Sequence, residues 1–427
     1  MDSSVLRVGE EKRDRYFVFV FLIIICSQSV LIWINRRTWF FGDDFAFLTY
    51  RYFSAANGEW IKAFLNPHNE HFVLFPAILF SAMQKVFGLK NHLAFMFPVL
   101  FLHGLIQFLV AVVMKSRCKS NITAFCAIAT IGFLSPGAEN LLWAFQAGFI
   151  GSIAIGLLQL ILLDNRESIG GKECLASFLG VVSIATQGTG ITSTFIVFIF
   201  LLVQKQYIRS LVVTVPPALV FSIWFVMIGK SGQSDQLSYE TSLDIPAYVL
   251  KGLTTSLDAI LHVQGSTTFV LVLCIFGLSR VDSIGRKIVL PLCFSIGAVF
   301  FYTLNGISRI QFGVDQSTSS RYTYVGVVLL APIVFILIEN SLHSQVFYRS
   351  LMCVVFCWVV FSGIVGFFKA QYIYASADQT RIQAIFRVRD QIEAGLTPSE
   401  NLPSPVFDPD LTNERIKLLI EKGLFNR

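Results

Sequence analysis

Two adjacent carboxylates, Asp43 and Asp44, stand in the run Phe41-Gly42-Asp43-Asp44-Phe45, eight residues past the end of the first strongly apolar stretch, Tyr16 to Asn35. An ionised carboxylate in such a place can act as general base toward an acceptor hydroxyl, a contribution of about 10²–10⁴ in rate. It can also offer oxygen ligands to a divalent cation such as Mg or Mn. The plainer reading is that one of them caps a helix beginning at Phe45, since Asp is a favoured N-cap residue. Capping needs only one of the two. The same segment runs on to Pro67-His68-Asn69-Glu70-His71, so two imidazoles and a third carboxylate gather at one leaflet surface. His68, Glu70 and His71 are therefore candidate substrate or phosphate contacts beside the acid pair.

Further candidates lie at the same leaflet. Arg309 and Arg321 bracket a later loop, with Ser320-Arg321-Tyr322 entering a span. Arginine grips a phosphate bidentately, and a helix that starts there offers its N-terminal amides to the same anion; the alternative is snorkelling to lipid headgroups. Trp143 and Gln146, in Trp143-Ala144-Phe145-Gln146, open another span. Trp there reads most simply as an interfacial anchor, whereas Gln inside the outer turn could hydrogen-bond a sugar. Gln187-Gly188-Thr189-Gly190 lacks the Lys-Ser/Thr of a phosphate loop and reads as a tight outward turn. No nucleophile elbow, zinc-protease helix or dinucleotide fingerprint is found.

The elements that must position these groups are membrane helices. Of the 427 residues, 54% are hydrophobic, 42 are Phe, and only 14% are charged, a mix that a soluble domain could not keep off its surface. A span needs roughly 20 apolar residues, and most of the chain up to Phe368 consists of such stretches. With no water in the bilayer core to satisfy backbone groups, these must be helices. The first stretch resembles a signal peptide at its start, but it continues into Arg36-Arg37 without a small-residue cleavage site and reads as an uncleaved anchor. None of the eight cysteines falls in a loop assigned to the outside, so no disulfide is expected.

Topology turns on His71 to Gly88. If that stretch lies on the membrane, the loops at 115–120, 164–173, 204–210, 280–287 and 341–350 are cytoplasmic and carry eleven Lys and Arg, against four (Lys230, Lys251, Arg309 and Arg321) in the outward loops at 135–140, 187–190, 229–266 and 305–321. Counting it as a span reverses the positive-inside rule. Phe72, Phe75, Leu79, Met83 and Val86 recur at helical spacing, broken by Gln84-Lys85, as in an interfacial helix. The expectation is an all-α polytopic membrane protein with about eleven spans and interfacial helices in the outward loop 36–91, N-terminus cytoplasmic and C-terminus outside. Residues 1–368 form the membrane domain; 369–427 form a polar tail with Pro403, Pro405 and Pro409 before an amphipathic run.

The order of these pieces resembles the GT-C class of polyprenyl-phosphate-sugar-dependent glycosyltransferases, and within it the bacterial and phage Gtr-type enzymes that add glucose to O-antigen. The matching pieces are Gly42-Asp43-Asp44-Phe45, Asn69-Glu70-His71-Phe72 with Pro76, Phe87-Gly88, Trp143-Ala144-Phe145-Gln146 and Ser320-Arg321-Tyr322. The Lys-Pro-Pro-Leu run of aminoarabinose and mannosyl relatives has no counterpart, Glu70-His71 standing in its place. The resemblance implies an undecaprenyl-phosphate-sugar donor, inverting transfer, an O-antigen or lipopolysaccharide acceptor and an active site on the periplasmic side of a bacterial inner membrane. In that reading Asp44, or Asp43, deprotonates the acceptor, while Arg321, Arg309 and His71 hold the lipid phosphate and His68, Glu70, Trp143, Gln146 and Tyr322 contact substrate. The rival is a transporter or flippase of a lipid-linked sugar, which would favour ionisable groups deep in the spans or an internal repeat.

Overall fold

A bilayer permits this apolar chain one solution, the helix, and helices are what it forms. The computed structural model describes residues 3–164, 169–232, 239–280, 286–342, 344–396 and 412–423. Arg166 of the 164–173 loop and the Pro403, Pro405 and Pro409 segment lie outside the described residues. In chain order the helices are α1 (Ser3–Asn35), α2 (Tyr52–Ala56), α3 (Leu74–Phe87), α4 (His92–Lys115), α5 (Asn121–Gly132), α6 (Ala138–Leu142), α7 (Ala147–Leu163), α8 (Gly171–Thr186) and α9 (Thr189–Val203). The second half adds α10 (Tyr207–Met227), α11 (Tyr239–Ser242), α12 (Ile245–Leu261), α13 (Thr267–Ser279), α14 (Arg286–Arg309), α15 (Ser320–Ser341), α16 (Gln345–Glu393) and α17 (Asn413–Glu421).

Among the described residues, eight helical segments are long and apolar enough to cross a membrane, drawn from α1, α4, α5 with α6, α7, α10, α14, α15 and α16. The shorter α8, α9 and α13 pack among them; the eight are fewer than the eleven spans expected from the sequence. The chain is thus a polytopic, all-helical membrane protein. α15 is its axis, with 94% of its most apolar window buried, whereas α1, α10 and α16 bury 28%, 28% and 22% of theirs and turn apolar side chains outward toward lipid. Close helix approach relies on small residues: a Cβ on Gly277 of α13 would collide with the Leu337 carbonyl of α15, and one on Gly363 of α16 with the Phe133 carbonyl.

α3 does not cross. It is 14 residues long, and both its ends lie at the same end of the bundle. Gln84 near its C-terminus donates to the Leu48 carbonyl at 2.8 Å. Just beyond, the His92 ring meets Phe40 edge-on at 4.8 Å, three residues from Asp43. The periodic residues expected to form one face divide, however. Phe72 precedes the helix and stacks on Trp224 at 4.7 Å, while Phe75 and Val86 remain exposed.

The opposite end of the bundle is tied by charges. Arg117 pairs with Asp164 at 2.8 Å and Arg209 with Glu173 at 2.6 Å. Glu339 accepts from the amides of Lys119 and Ser120 and from the Thr123 hydroxyl at 2.7–2.8 Å, a carboxylate set against the start of α5 as a helix dipole favours. The polar stretch after Phe368 starts inside α16, which continues to Glu393. α17 packs back on it through Ile416 and Leu419 and sets Arg415 over the Tyr50 ring.

Candidate active site

Gly42 takes φ +53, a left-handed conformation that costs glycine little, and turns the chain into the acid pair. There the two carboxylates part. Asp44 is fully buried; its Oδ1 accepts from the Phe145 amide at 2.9 Å and its Oδ2 from the Phe41 amide at 3.2 Å. Trp143 completes this clamp, its ring stacked on Phe41 at 4.7 Å and its Nε1 donating to the Phe41 carbonyl at 3.0 Å. Trp143 is therefore no interfacial anchor, because it fastens the first loop to the start of α7 from within the protein. Asp44 shares the task. It does have the structural role that the capping alternative supposed, but across the loop, to Phe145.

Asp43 stays more open. Its side chain is 30% exposed and its Oδ1 lies 3.2 Å from His68 Nε2. Burial pushes its pKa up, but the contact with His68 and the charge of Arg321 outweigh that and hold it below the ordinary carboxylate range. A carboxylate so placed is ionised at neutral pH.

The His68 end of this contact depends on a tight turn. Asn69, at φ +52, takes the left-handed conformation that Asn tolerates, and His68 and His71 exchange both backbone hydrogen bonds at 3.0 Å. Arg51 braces the approach from inside, donating to the carbonyls of Ala63, Asn66 and Pro67 at 2.9, 2.9 and 3.1 Å with its guanidinium over the Phe47 ring. Trp224 of α10 ties the other flank through Nε1 to the Leu65 carbonyl at 2.8 Å. Neither Arg51 nor Trp224 was expected from the sequence. A charge and an indole at loop-facing positions were the available signals, but each needs a carbonyl whose place only the fold fixes.

His71 is held against Phe149 and Gly188; a Cβ on Gly188 would come within 2.7 Å of its Nδ1. Desolvation drives its pKa down to about 4 despite the neighbouring Glu70. It is thus a neutral hydrogen-bonding group near pH 7 and brings no charge to a phosphate.

The two arginines differ. Arg309 is in an ion pair with Glu70, whose Oε1 also lies 3.7 Å from His71 Nε2. Arg321 is anchored by its backbone, its carbonyl accepting from Asn140 Nδ2 at 3.1 Å, while Ser320 Oγ donates to the Pro136 carbonyl at 2.7 Å. Its guanidinium lies over the Tyr322 ring at 5.5 Å, and its Nε is 3.8 Å from Glu139 and without a hydrogen-bond partner. Tyr322 itself is buried, edge-on to Phe301. Among the described residues no group of three or more His, Cys, Asp or Glu is arranged to hold a metal.

Beside the His68–His71 turn opens a cavity of about 330 Å³. Glu70, His71, Thr189, Thr192, Asn305 and Ser308 form its polar walls; Phe149, Phe221, Phe225, Phe301, Leu304 and Ile307 form its apolar ones. Such a chamber suits an amphiphile with a polar head. Gln146, one helical turn before Phe149, is fully buried with neither amide atom hydrogen-bonded, and so is Gln187, in the segment read from sequence as a mere turn. A glutamine opening two outward junctions in succession was the overlooked signal. The structure also shows an ionisable pair deep in the bundle that the sequence reading passed over, His103 Nδ1 to Tyr324 Oη at 2.8 Å.

The structure thus brings Asp43, His68, Glu70, His71, Arg309 and Arg321 into one neighbourhood with Gln146 and Tyr322 close by, and gives Asp44 and Trp143 the task of holding it. No protein-family model matches the chain, and no curated protein matches its sequence. Among solved structures, ArnT from Cupriavidus metallidurans bound to undecaprenyl phosphate matches over 89% of this chain and 81% of its own, at TM-score 0.52 and 14% identity. At that identity the likeness is one of fold: this chain has an ArnT-like, polytopic helical architecture.

Proposed function

We propose that the protein is a GT-C-type glycosyltransferase that moves a sugar, glucose by the resemblance of its motifs, from undecaprenyl phosphate to an O-antigen or lipopolysaccharide glycan, with inversion. The observation that carries this reading is the amphiphilic cavity walled by Glu70 and His71, the turn whose His68 contacts Asp43, on a fold whose solved neighbour was bound to undecaprenyl phosphate.

In this mechanism Asp43 is the base. The acceptor oxygen attacks the anomeric carbon as Asp43 takes its proton, and the bond from that carbon to the phosphate oxygen breaks. Undecaprenyl phosphate leaves with the bonding electrons. Arg321 stabilises the negative charge that grows on it, the kind of electrostatic contribution that is commonly the largest in catalysis. Arg309, neutralised by Glu70, and neutral His71 orient the head group. The Lys- and Arg-rich loops lie at the other end of the bundle, so the positive-inside rule turns the Asp43 end to the periplasm of a bacterial inner membrane. Cysteines introduced in 239–266 should then be labelled from outside, and one at Gly171 should not; the reverse pattern overturns this orientation.

The test is a matched pair of proteoliposome reactions with undecaprenyl-phosphate-glucose or UDP-glucose and a glycan acceptor. Transfer from the lipid donor alone is expected. Efficient use of the nucleotide sugar without a lipid intermediate overturns the proposal.

A further inference from the structure

Three buried side chains and one buried carboxylate oxygen in or beside the cavity have hydrogen-bonding capacity that the protein leaves unused; Glu70, Thr189 and Thr192 line it, and Gln187 directly precedes the lining residue Gly188. Gln187 is fully buried and neither its Oε1 nor its Nε2 has a partner. Thr189 and Thr192 are 6% and 3% exposed, their hydroxyls are unpartnered, and both line the cavity. Glu70, on the facing wall, offers Oε2, buried and unpartnered while its Oε1 is engaged by Arg309. A buried amide or hydroxyl without a partner is costly, so four such groups in and beside one cavity are hard to keep unless a ligand completes them. The backbone makes room for this. The Gln187 amide lies against the first turn of α7, in contact distance of Gly148, and Gly188 lets His71 approach. Gln146, also unpartnered, lies at the entry to α7.

We infer that Glu70, Gln187, Thr189 and Thr192 form the subsite that recognises the hydroxyl groups of the transferred sugar, and that it selects an uncharged, hydroxyl-rich pyranose. This inference rests on the proposed function and specifies its substrate class. The amide and the two hydroxyls can each donate and accept, as a sugar hydroxyl does, and the carboxylate oxygen accepts. Charge argues for the class. Glu70 is already balanced by Arg309 and His71 is neutral, so the subsite offers no free cation to a uronic acid and no free anion to an amino sugar. A site built to hydrogen-bond a hydroxyl discriminates strongly against analogues that lack it, because its own buried groups are then left bare.

The test separates this subsite from catalysis by measuring binding. Thermal midpoints of the detergent-purified protein are compared with undecaprenyl phosphate, undecaprenyl-phosphate-glucose and undecaprenyl-phosphate-linked 4-amino-4-deoxyarabinose. The wild type should be stabilised more by the glucosyl lipid than by the bare or aminosugar lipid. Gln187→Met and Thr192→Val should still respond to the bare lipid, which shows that they fold and bind. Their preference for the glucosyl lipid should fall about 10- to 100-fold in apparent affinity, as loss of one or two hydrogen bonds implies. Without ligand their midpoints should hold or rise, since an apolar side chain replaces an unpartnered polar one. Equal response of the wild type to bare and glucosyl lipid, or an undiminished preference in both variants, overturns the subsite. A preference for the aminosugar lipid overturns the sugar class. Failure of glycosyl transfer with this binding pattern intact counts against the proposed reaction and leaves the subsite standing.

Discussion

The two ends of the bundle spend their polar groups differently. At the end with the Arg117–Asp164 and Arg209–Glu173 pairs, both oxygens of Glu173 and both of Glu339 accept short hydrogen bonds from neighbouring helices or loops. Those charges are occupied in holding helix ends together. At the other end Arg309 pairs closely with Glu70 and Asp44 is fully engaged, but the contacts beside them are longer and incomplete: Asp43 to His68 at 3.2 Å, Glu70 to His71 at 3.7 Å, Arg321 to Glu139 at 3.8 Å, with Glu70 Oε2, Arg321 Nε and the amides of Gln146 and Gln187 unpartnered. One sequence makes both, so the difference is not a general weakness of packing. Under the proposed function it is the end where a ligand supplies the missing partners.

This contrast is broken most sharply by exchanging a carboxylate for an amide on the open side. Asp43→Asn removes basicity with little change of shape, and transfer should fall by about 10²–10⁴ while the thermal midpoint stays put. Asp44→Asn should behave differently. Its carboxylate holds the Phe41 and Phe145 amides, so it should lose stability, about 1–3 kcal/mol for a buried acceptor left imperfectly matched, along with activity. Unfolding curves and turnover per folded molecule distinguish the two, and equal stability losses would erase the division of labour between the acids.

On the closed side, Glu173→Ala strands a buried arginine and should destabilise by about 3–5 kcal/mol, with turnover per folded molecule unchanged. A large activity loss without destabilisation would deny the purely structural role of that end. Smaller again is Arg321→Lys, which keeps charge but loses the planar fork; a tenfold loss, about 1.4 kcal/mol, is expected if the residue grips phosphate. Full activity of the Lys variant would fit snorkelling and move the phosphate elsewhere. Trp224→Phe should do least, keeping the stack on Phe72 and losing one hydrogen bond to Leu65, about 0.5–1.5 kcal/mol, seen as a small fall in midpoint.

Much of this arrangement was legible in the chain. Helix type follows from apolar run length, and the Lys and Arg asymmetry was enough to set α3 apart from the spans, in keeping with both its ends lying at one end of the bundle. The neighbourhood of Asp43, His68, Glu70 and the two arginines could be read because all of them sit at junctions between spans on one side. What could not be read is which acid does which task. Asp43 and Asp44 are the same residue type at adjacent positions, and only the Phe145 amide, 101 residues away in sequence, separates them. Arg309 and Arg321 were likewise indistinguishable until Glu70 was found paired with one of them. Gln187 was missed because an isolated glutamine beside glycines reads as a turn, and its lack of partners is a property of the packed state alone.

The central claim is that the open end carries out glycosyl transfer from a lipid donor with Asp43 as base. It is tested most directly by adding undecaprenyl-phosphate-glucose and a glycan acceptor to wild-type, Asp43→Asn and Glu173→Ala protein in matched lipid vesicles and following release of undecaprenyl phosphate. The account predicts release by the wild type and, per folded molecule, equally by Glu173→Ala, with none detectable from Asp43→Asn. Release by Asp43→Asn at the wild-type rate would contradict it.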